Sequence, residues 1–468
     1  MKSTTTAAKS KAIIDGVEIT SDTLTGRGGL SLFVRYLRHI EIFPQIETFF
    51  GSMRRSRKGQ PIIEVFKQLF CFFVDGTSRH LIYFDALGKD AGYAATTESD
   101  PHSMLSSHAV KRFFRSFWWP RIYLFRQLLQ RLFLWRLGLH APKLIVLGID
   151  TMVMDNDEAR VRHGVKPTYK RAKGFQPLQM TWQGYVIDAV FRRGDAHSNN
   201  GDTVAKMVCH VVGKIRKHYR PDAVIIVRMD SGFFDQKLFE VFEQLRVGYI
   251  CGGKLYKPVK EFVGQSQLNE AAWGRYEQGR QVWQYLEFGT KCGNWKRFRR
   301  SLFCRPLYED SQMLLPFARP DTVLVTNLGM GRAIDAALIE AGYGHWLEAQ
   351  AIIAGYHGRG SDELVHRALK DFGFEELPFK RFAPNAAFYY TMLVSFFLYE
   401  TFKQDVCAPV VEPVCYATTL RRKVIDIAAK IVRHGGRVVL KVTAATFEAL
   451  NFALLWDKSA LPPRYCWS

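Results

Sequence analysis

Two short apolar runs, far apart in the chain and built alike, constrain the fold more than any other feature of these 468 residues. Lys143-Leu-Ile-Val-Leu-Gly-Ile-Asp150-Thr151 and Ala223-Val-Ile-Ile-Val-Arg-Met-Asp230-Ser231 are rich in β-branched residues, and each stops at an aspartate followed by a small hydroxyl residue. Continuous apolar runs of this length read as strands buried on both faces. A carboxylate at the C-terminal end of such a strand stands at the mouth of an open α/β sheet, where ligands bind. A lone strand-end aspartate is more often a turn or cap residue. Two of them ask for a shared explanation.

Around these runs the pattern reads strand, strand, strand, helix, strand, helix, strand, near 144–150, 176–183, 185–193, 202–218, 223–230, 235–246 and 248–253. Three consecutive strands form an antiparallel meander, and the helices then lead to parallel strands, so the class is mixed α/β. Residues 1–140 read as a mainly helical N-terminal region and 141–253 as the first part of the core. Residues 254–335 read as a β-rich inserted subdomain, because the roughly 130 positions from Asp230 to the next acidic motif far exceed a compact connection. Strands are expected in Gln281–Phe288 and Ser301–Cys304. Residues 336–405 return to the core, and 406–468 read as a basic helical C-terminal region carrying Arg421, Arg422, Lys423, Lys430, Arg433 and Arg437. Asn327-Leu-Gly-Met-Gly331 echoes a dinucleotide fingerprint without its third glycine, and a plain strand–turn–helix link is expected there.

The acidic motif is Tyr356, Arg359, Glu363 and Lys370, in the pattern Y-x2-R-x3-E-x6-K. On one α-helix these positions fall within about 60° of each other. Such a face suits a site that holds a metal against a phosphodiester: the carboxylate binds the metal, and the cations and hydroxyl hold phosphate oxygens. Gly355, Gly358 and Gly360 argue against a helix starting as early as Tyr356, and Ser361 is an alternative cap. The bland alternative is a surface helix with a Glu363–Arg367 pair. With Asp150 and Asp230, Glu363 makes three carboxylates on rigid elements, enough to hold two Mg²⁺ ions about 4 Å apart for in-line attack.

The net charge of +21 predicts a polyanionic partner without naming it. Ala386–Tyr399 is too short for a membrane span and is followed by Glu400 and Lys403, so it reads as a buried helix. Met1–Ser10 lacks the apolar core of a secretory signal. The eight cysteines contain no C-x2-C pair, which speaks against a zinc site and for a reducing cytoplasm. No acid lies between Asp100 and Asp150, where Lys111, Arg112, Arg115, Arg121, Arg126, Arg131 and Arg136 alternate with aromatics; phosphate contact is expected there. Arg54, Arg55, Arg57 and Lys58 form a weaker cluster. Lys170, Arg171 and Lys173 lie in a loop between the first two core strands, read as phosphate-contacting. Lys291, Lys296, Arg297, Arg299 and Arg300 surround Trp295 and Phe298 as a basic hairpin that fits nucleic acid. Asp155, Asp157 and Glu158 are read as turn residues, not ligands.

In order, Asp150, Asp230, Glu363 and the ungapped Y-R-E-K signature resemble the DDE transposases of prokaryotic insertion sequences. Phe191–Gly201, Asp230–Asp235, Leu420–Lys423 and Ile431–His434 fit the same resemblance, which spans roughly residues 30 to 440. It implies a ribonuclease H-like core interrupted by a β-rich insertion that helps hold transposon-end DNA. It also implies catalysis by Asp150, Asp230 and Glu363 with two Mg²⁺ ions (Mn²⁺ can substitute), and phosphate contacts from Tyr356, Arg359 and Lys370. Partners would be double-stranded transposon-end and target DNA and a second copy of the chain in a synaptic dimer. Trp273, Trp283 and Trp295 are candidates to stack on a flipped base. A metal-dependent nuclease of the same fold and a non-catalytic, transposase-derived DNA-binding protein remain as alternatives.

Overall fold

The computed structural model describes residues 14–53, 59–159, 161–279, 281–293, 295–307, 321–408 and 410–463, so the cluster at Arg54–Lys58 lies outside the described residues. A short strand β1 (Thr23–Thr25) precedes the helices α1 (Leu30–His39), α2 (Ile42–Phe50), α3 (Ile62–Asp75), α4 (Tyr83–Leu87), α5 (Ala91–Thr96), α6 (Ser107–Arg115) and α7 (Trp119–His140). The core strands then begin with β2 (Leu144–Thr151). A small side sheet of β3 (Met154–Asp155), β4 (Lys166–Pro167) and β5 (Lys173–Phe175) follows. Then come β6 (Leu178–Trp182), β7 (Tyr185–Val190), α8 (Thr203–His218), β8 (Val224–Met229), α9 (Gln236–Gln244) and β9 (Gly248–Gly252). β2, β6 and β7 form the antiparallel meander, while β8 and β9 join β2 in parallel.

The next segment holds α10 (Lys257–Ser266), β10 (Trp273–Gln278), β11 (Gln281–Thr290), β12 (Arg299–Leu307) and β13 (Thr322–Thr326). Its strands do not make a separate sheet. β13 pairs antiparallel with β9, and β12, β11 and β10 follow outward, giving one nine-stranded mixed sheet. The reason is physical: β9 is buried throughout, and its open edge would otherwise leave backbone groups unpaired.

α11 (Ala333–Glu340), α12 (Ala349–His357), α13 (Gly360–Phe372) and α14 (Phe382–Phe402) complete the central part. α14, the long apolar run, is buried from Pro384 to Phe402 and packs on α3, α6, α7 and β7. Among the described residues no helix is long and apolar enough to cross a membrane. The expectation of an all-helical C-terminal region is corrected. Between α15 (Ala417–Leu420) and the helices α16 (Ala444–Ala449) and α17 (Phe452–Ala460) lies a hairpin, β14 (Ala429–His434) with β15 (Arg437–Val442), and β14 also pairs with β1. Gly435 and Gly436 both have positive φ, 56° and 75°, which a tight two-residue hairpin turn requires. Ile431, Val432, Val438 and Val439 supply the β-branched flanks.

Strand periodicity sorts the sheet into two faces. Ile145, Leu147, Ile149, Val227 and Met229 join the large core with α8, α9 and α14. Leu144, Val146, Val224 and Ile226 join a smaller core with α11 and α12. Gly148, Asp150, Arg228 and Asp230 continue that second row.

Candidate active site

The parallel register pairs Ile149 with Met229, which makes Asp150 and Asp230 the next residues on neighbouring strands. Their backbones are therefore about 5 Å apart. Each carboxylate is tethered by the backbone that follows it. Thr151 N–H donates to Asp150 Oδ1 at 2.7 Å, and Gly232 N–H to Asp230 Oδ1 at 2.8 Å. Asp150 is thus fixed from the last residue of its own strand, and Asp230 from the short turn that begins at Ser231.

Glu363 lies in the first turn of α13 and is exposed. Arg359, just before that helix, reaches both acids. Its guanidinium donates to Asp150 Oδ2 at 3.3 Å and to Glu363 Oε1 at 3.0 Å. Burial pushes the Asp150 carboxyl up to about 6, and the charge of Asp230 adds to this, partly offset by Thr151 N–H and Arg359. The site therefore holds more negative charge than its one guanidinium neutralises.

The signature does not sit on one helix. Tyr356 belongs to α12, the chain breaks at Gly358 and Arg359, and α13 begins at Gly360. The glycines that argued against a continuous helix mark this break. The Tyr356 ring leans over Gly252, close enough that a Cβ there would meet its hydroxyl, and burial raises its phenol. Lys370 lies about 10 Å along α13 from Glu363 and donates to Glu375 Oε2 at 2.7 Å rather than to the carboxylate group.

Sequence reasoning missed what docks α13 on the sheet. Asp362 is buried; it accepts from Arg228 Nη2 at 3.0 Å and from Thr181 Oγ1 at 3.0 Å. Gly148 makes room for it: a Cβ there would collide with the Asp362 carboxylate and the Thr181 hydroxyl. Arg228, two residues before Asp230, thus binds the neighbour of Glu363. The available signal was a charged residue inside the apolar run Ala223–Met229. Tyr169 was also missed. Its phenol is raised by desolvation and by the charges of Asp150, Asp230 and Glu363, so this exposed ring lies within the field of the acids. Lys170 lies 5.8 Å from that ring centroid. Lys170 and Arg171 are exposed and Lys173 half-buried, so the loop between β4 and β5 presents cations next to the site.

Other expected phosphate contacts are spoken for. Arg299 is buried under Trp295, donating to Tyr249 Oη at 3.0 Å and pairing with Glu243 at 3.3 Å. Arg300 forks onto Glu287 and caps the Leu328 and Leu347 carbonyls. In this structure both guanidiniums hold β12 in place. Lys296 and Arg297 remain exposed. Arg126 pairs with Asp188, Arg136 with Asp405, and Arg421 binds the Phe73, Val74 and Phe372 carbonyls. Trp295 is buried, and Trp273 donates to the Ser266 carbonyl. Trp283 stands 4.3 Å from the His357 ring beside the signature. The Gly329–Gly331 turn donates its N–H groups to Asp335, so its anion nest is filled from within the chain.

Among the described residues no three acidic, His or Cys side chains are close enough together to hold a metal ion. The donor chemistry nevertheless fits a hard divalent cation: two carboxylates anchored by backbone N–H groups and a third on an exposed side chain held by Arg359, three acids against one guanidinium. Arg359 is the cation that now bridges two of the three.

A family model described as Transposase DDE domain group 1 matches residues 3–458. No curated protein matches the chain. Among solved structures, the cryo-EM structure of a piggyBac transposase synaptic complex with hairpin DNA aligns at 13% identity with a TM-score of 0.36, covering 96% of this chain and 89% of that one.

Proposed function

This chain belongs to the DDE transposase family, and from that premise we propose that it cuts and rejoins DNA at the ends of its own insertion sequence in a prokaryotic cytoplasm. The observation that carries the reading is the register that sets Asp150 and Asp230 side by side under the helix bearing Glu363. The strand order β7-β6-β2-β8-β9 is read as a ribonuclease H-like core. Asp150, Asp230 and Glu363 would hold two Mg²⁺ ions. Bound there, Mg²⁺ lowers the pKa of an attacking water or 3′-hydroxyl and stabilises the leaving 3′-oxygen.

The chain's own part is positioning and charge. Arg359 leaves the two acids and turns its planar fork to a phosphate oxygen beside the scissile bond. Tyr356 donates its hydroxyl from the edge of the site, and Tyr169 with Lys170 closes over it. Lys370 joins by giving up its partly exposed pair with Glu375, which costs less than about 1 kcal/mol. Lys296 and Arg297 hold end DNA from the inserted strands. Two copies of the chain bring two ends together, and residues 1–140 contribute to DNA and dimer contacts.

The test is Mg²⁺-dependent cleavage of a supercoiled plasmid carrying the element's ends, with Glu363→Gln run beside wild type and binding measured in parallel. Cleavage by wild type, with binding but no cleavage by the variant, is the expected result. Binding without cleavage by both proteins would replace the proposal with a non-catalytic DNA-binding role. Cleavage without strand transfer would reduce it to a nuclease.

A further inference from the structure

A cationic cleft lies apart from the three acids and the signature residues. The loop Arg79–Ile82, the outer face of α6, Arg162 and the stretch Glu376–Pro384 enclose a cleft of about 870 Å³. Six cationic side chains line it: Arg79, Lys111, Arg115, Arg162, Lys380 and Arg381. The one carboxylate in its lining, Glu376, is already held by Arg162 at 3.1 Å, with Arg79 at 4.0 Å. Arg115, Lys380 and Arg381 are exposed. A surface this one-sided, with its only acid neutralised, fits a chain of phosphates and disfavours an acidic-and-apolar protein partner.

The floor of the cleft is rigid. Buried Asn156 donates to the Glu375 carbonyl at 2.9 Å, accepts from Leu377 N–H at 2.9 Å, and accepts from Arg162. Asn385 closes the next turn by bonding Phe379 N–H and its carbonyl. The cations therefore project from fixed backbone, which lowers the ordering cost of binding. Two tryptophans lie nearby with little cover: Trp118 is 58% exposed and Trp119 62%, the latter against Phe382, the neighbour of Arg381.

The cleft also has a fixed relation to the acids. Glu375, bonded to Lys370, adjoins Glu376 of the cleft wall. Lys370 is about 10 Å along α13 from Glu363. A strand whose scissile phosphate sits at the acids, and which follows α13, reaches Lys370 after about three nucleotides at about 3.4 Å per nucleotide, with the cleft wall beyond it.

We propose that this cleft binds the backbone of duplex DNA belonging to the element's own end, a few nucleotides from the cut. The inference rests on the functional reading above. The end must stay held between cutting and joining, and a permanent, preformed cationic cleft suits the DNA that does not leave. The target enters only for the second step.

The experiment measures affinity for an end duplex against salt in the Glu363→Gln background, which removes turnover. Lys111→Gln/Arg115→Gln and Lys380→Gln/Arg381→Gln are compared with Lys217→Gln on α8 as a remote control. Each double variant is expected to lower the slope of log K against log salt by about 2, since each lost phosphate contact removes about 0.9. The control should leave the slope unchanged, and melting temperatures should match because these groups are at the surface. Unchanged slopes in both double variants would overturn the proposal, whether or not wild type cuts DNA. A drop with unrelated duplex but not with the end duplex would assign the cleft to target DNA and overturn it equally. Failure of cleavage by wild type with a reduced slope in the variants would sink the catalytic reading and leave the cleft standing.

Discussion

Arg359 bridges Asp150 and Glu363 through one guanidinium, and in the proposed reaction it would have to release both to face a phosphate. Arg359→Gln is therefore expected to bind Mn²⁺ more tightly without DNA, by about tenfold, because a competing charge is gone. The same variant should cut more slowly. Calorimetric titration with Mn²⁺ checks the first half, and weaker or unchanged binding would refute the bridge as a competitor. Arg359→Lys should lose at least about tenfold in cleavage, since one ammonium cannot span both acids or fork onto phosphate. That Asp150 and Asp230 stand side by side, with Arg359 reaching Asp150 and Glu363, was legible because the pattern is carried by residue type and order. The partners of Arg299 and Arg300 were not legible for the opposite reason. A guanidinium in a basic run looks the same whether it faces water or a buried Glu243, and only the fold supplies that partner.

At the scale of elements, α13 is seated by one buried ion pair. The Arg228 and Asp362 side chains are 13% and 7% exposed, so removing one leaves the other charged and buried. Asp362→Ala should cost about 3–5 kcal/mol, read by denaturant unfolding. Gly148→Ala should also destabilise, because its new methyl pushes at the same carboxylate. A loss below about 1 kcal/mol in Asp362→Ala would mean that α13 is seated by its apolar face alone. The helix also carries a pH term. His366 is buried with Nε2 unpartnered, and burial first, then Lys370, Arg359 and Lys170, pushes it down to about 4 from an ordinary 6.5. Folding thus disfavours its protonation. Stability from this group is full above pH 6.5 and is lost as pH falls from 6.5 toward 4, by up to about 3 kcal/mol. Melting of His366→Gln against pH should show a shallower loss across that window, and parallel curves would remove His366 as its source. The strands β2 and β8 were legible as apolar runs. Asp362 was not, because it and Glu363 differ by only about 100° of helix, and sequence alone does not say which one faces the sheet. The Gly435-Gly436 hairpin was hidden by the basic residues that led the eye to a helix.

For the whole molecule, the helical first third and the nine-stranded sheet share one core. α14 is covered on one side by α3, α6 and α7, with Phe73 and Phe114 against Phe388 at 5.2 and 5.4 Å and Phe125 stacked on Tyr390. Tyr36 of α1 and Arg136 of α7 meet at Asp405, at 2.6 and 2.9 Å. Arg421 joins the end of α3 to the end of α13 by bonding carbonyls on both. The sequence marks residues 1–140 as a mainly helical N-terminal region, but composition does not reveal that α14 needs those helices as its cover. A truncated chain beginning at residue 141 would expose several aromatic side chains worth roughly 1.5–3 kcal/mol each, against a total stability of about 5–15 kcal/mol. It should therefore fail to fold, giving no cooperative melt and rapid proteolysis throughout, while the full chain melts its first third and its sheet together. A truncated chain that melts cooperatively within a few degrees of the full protein would show that the active-site sheet stands without the helices. The cleft between α6 and Lys380–Arg381 would then join two independent bodies instead of lying on one, and its distance from the acids would no longer be fixed.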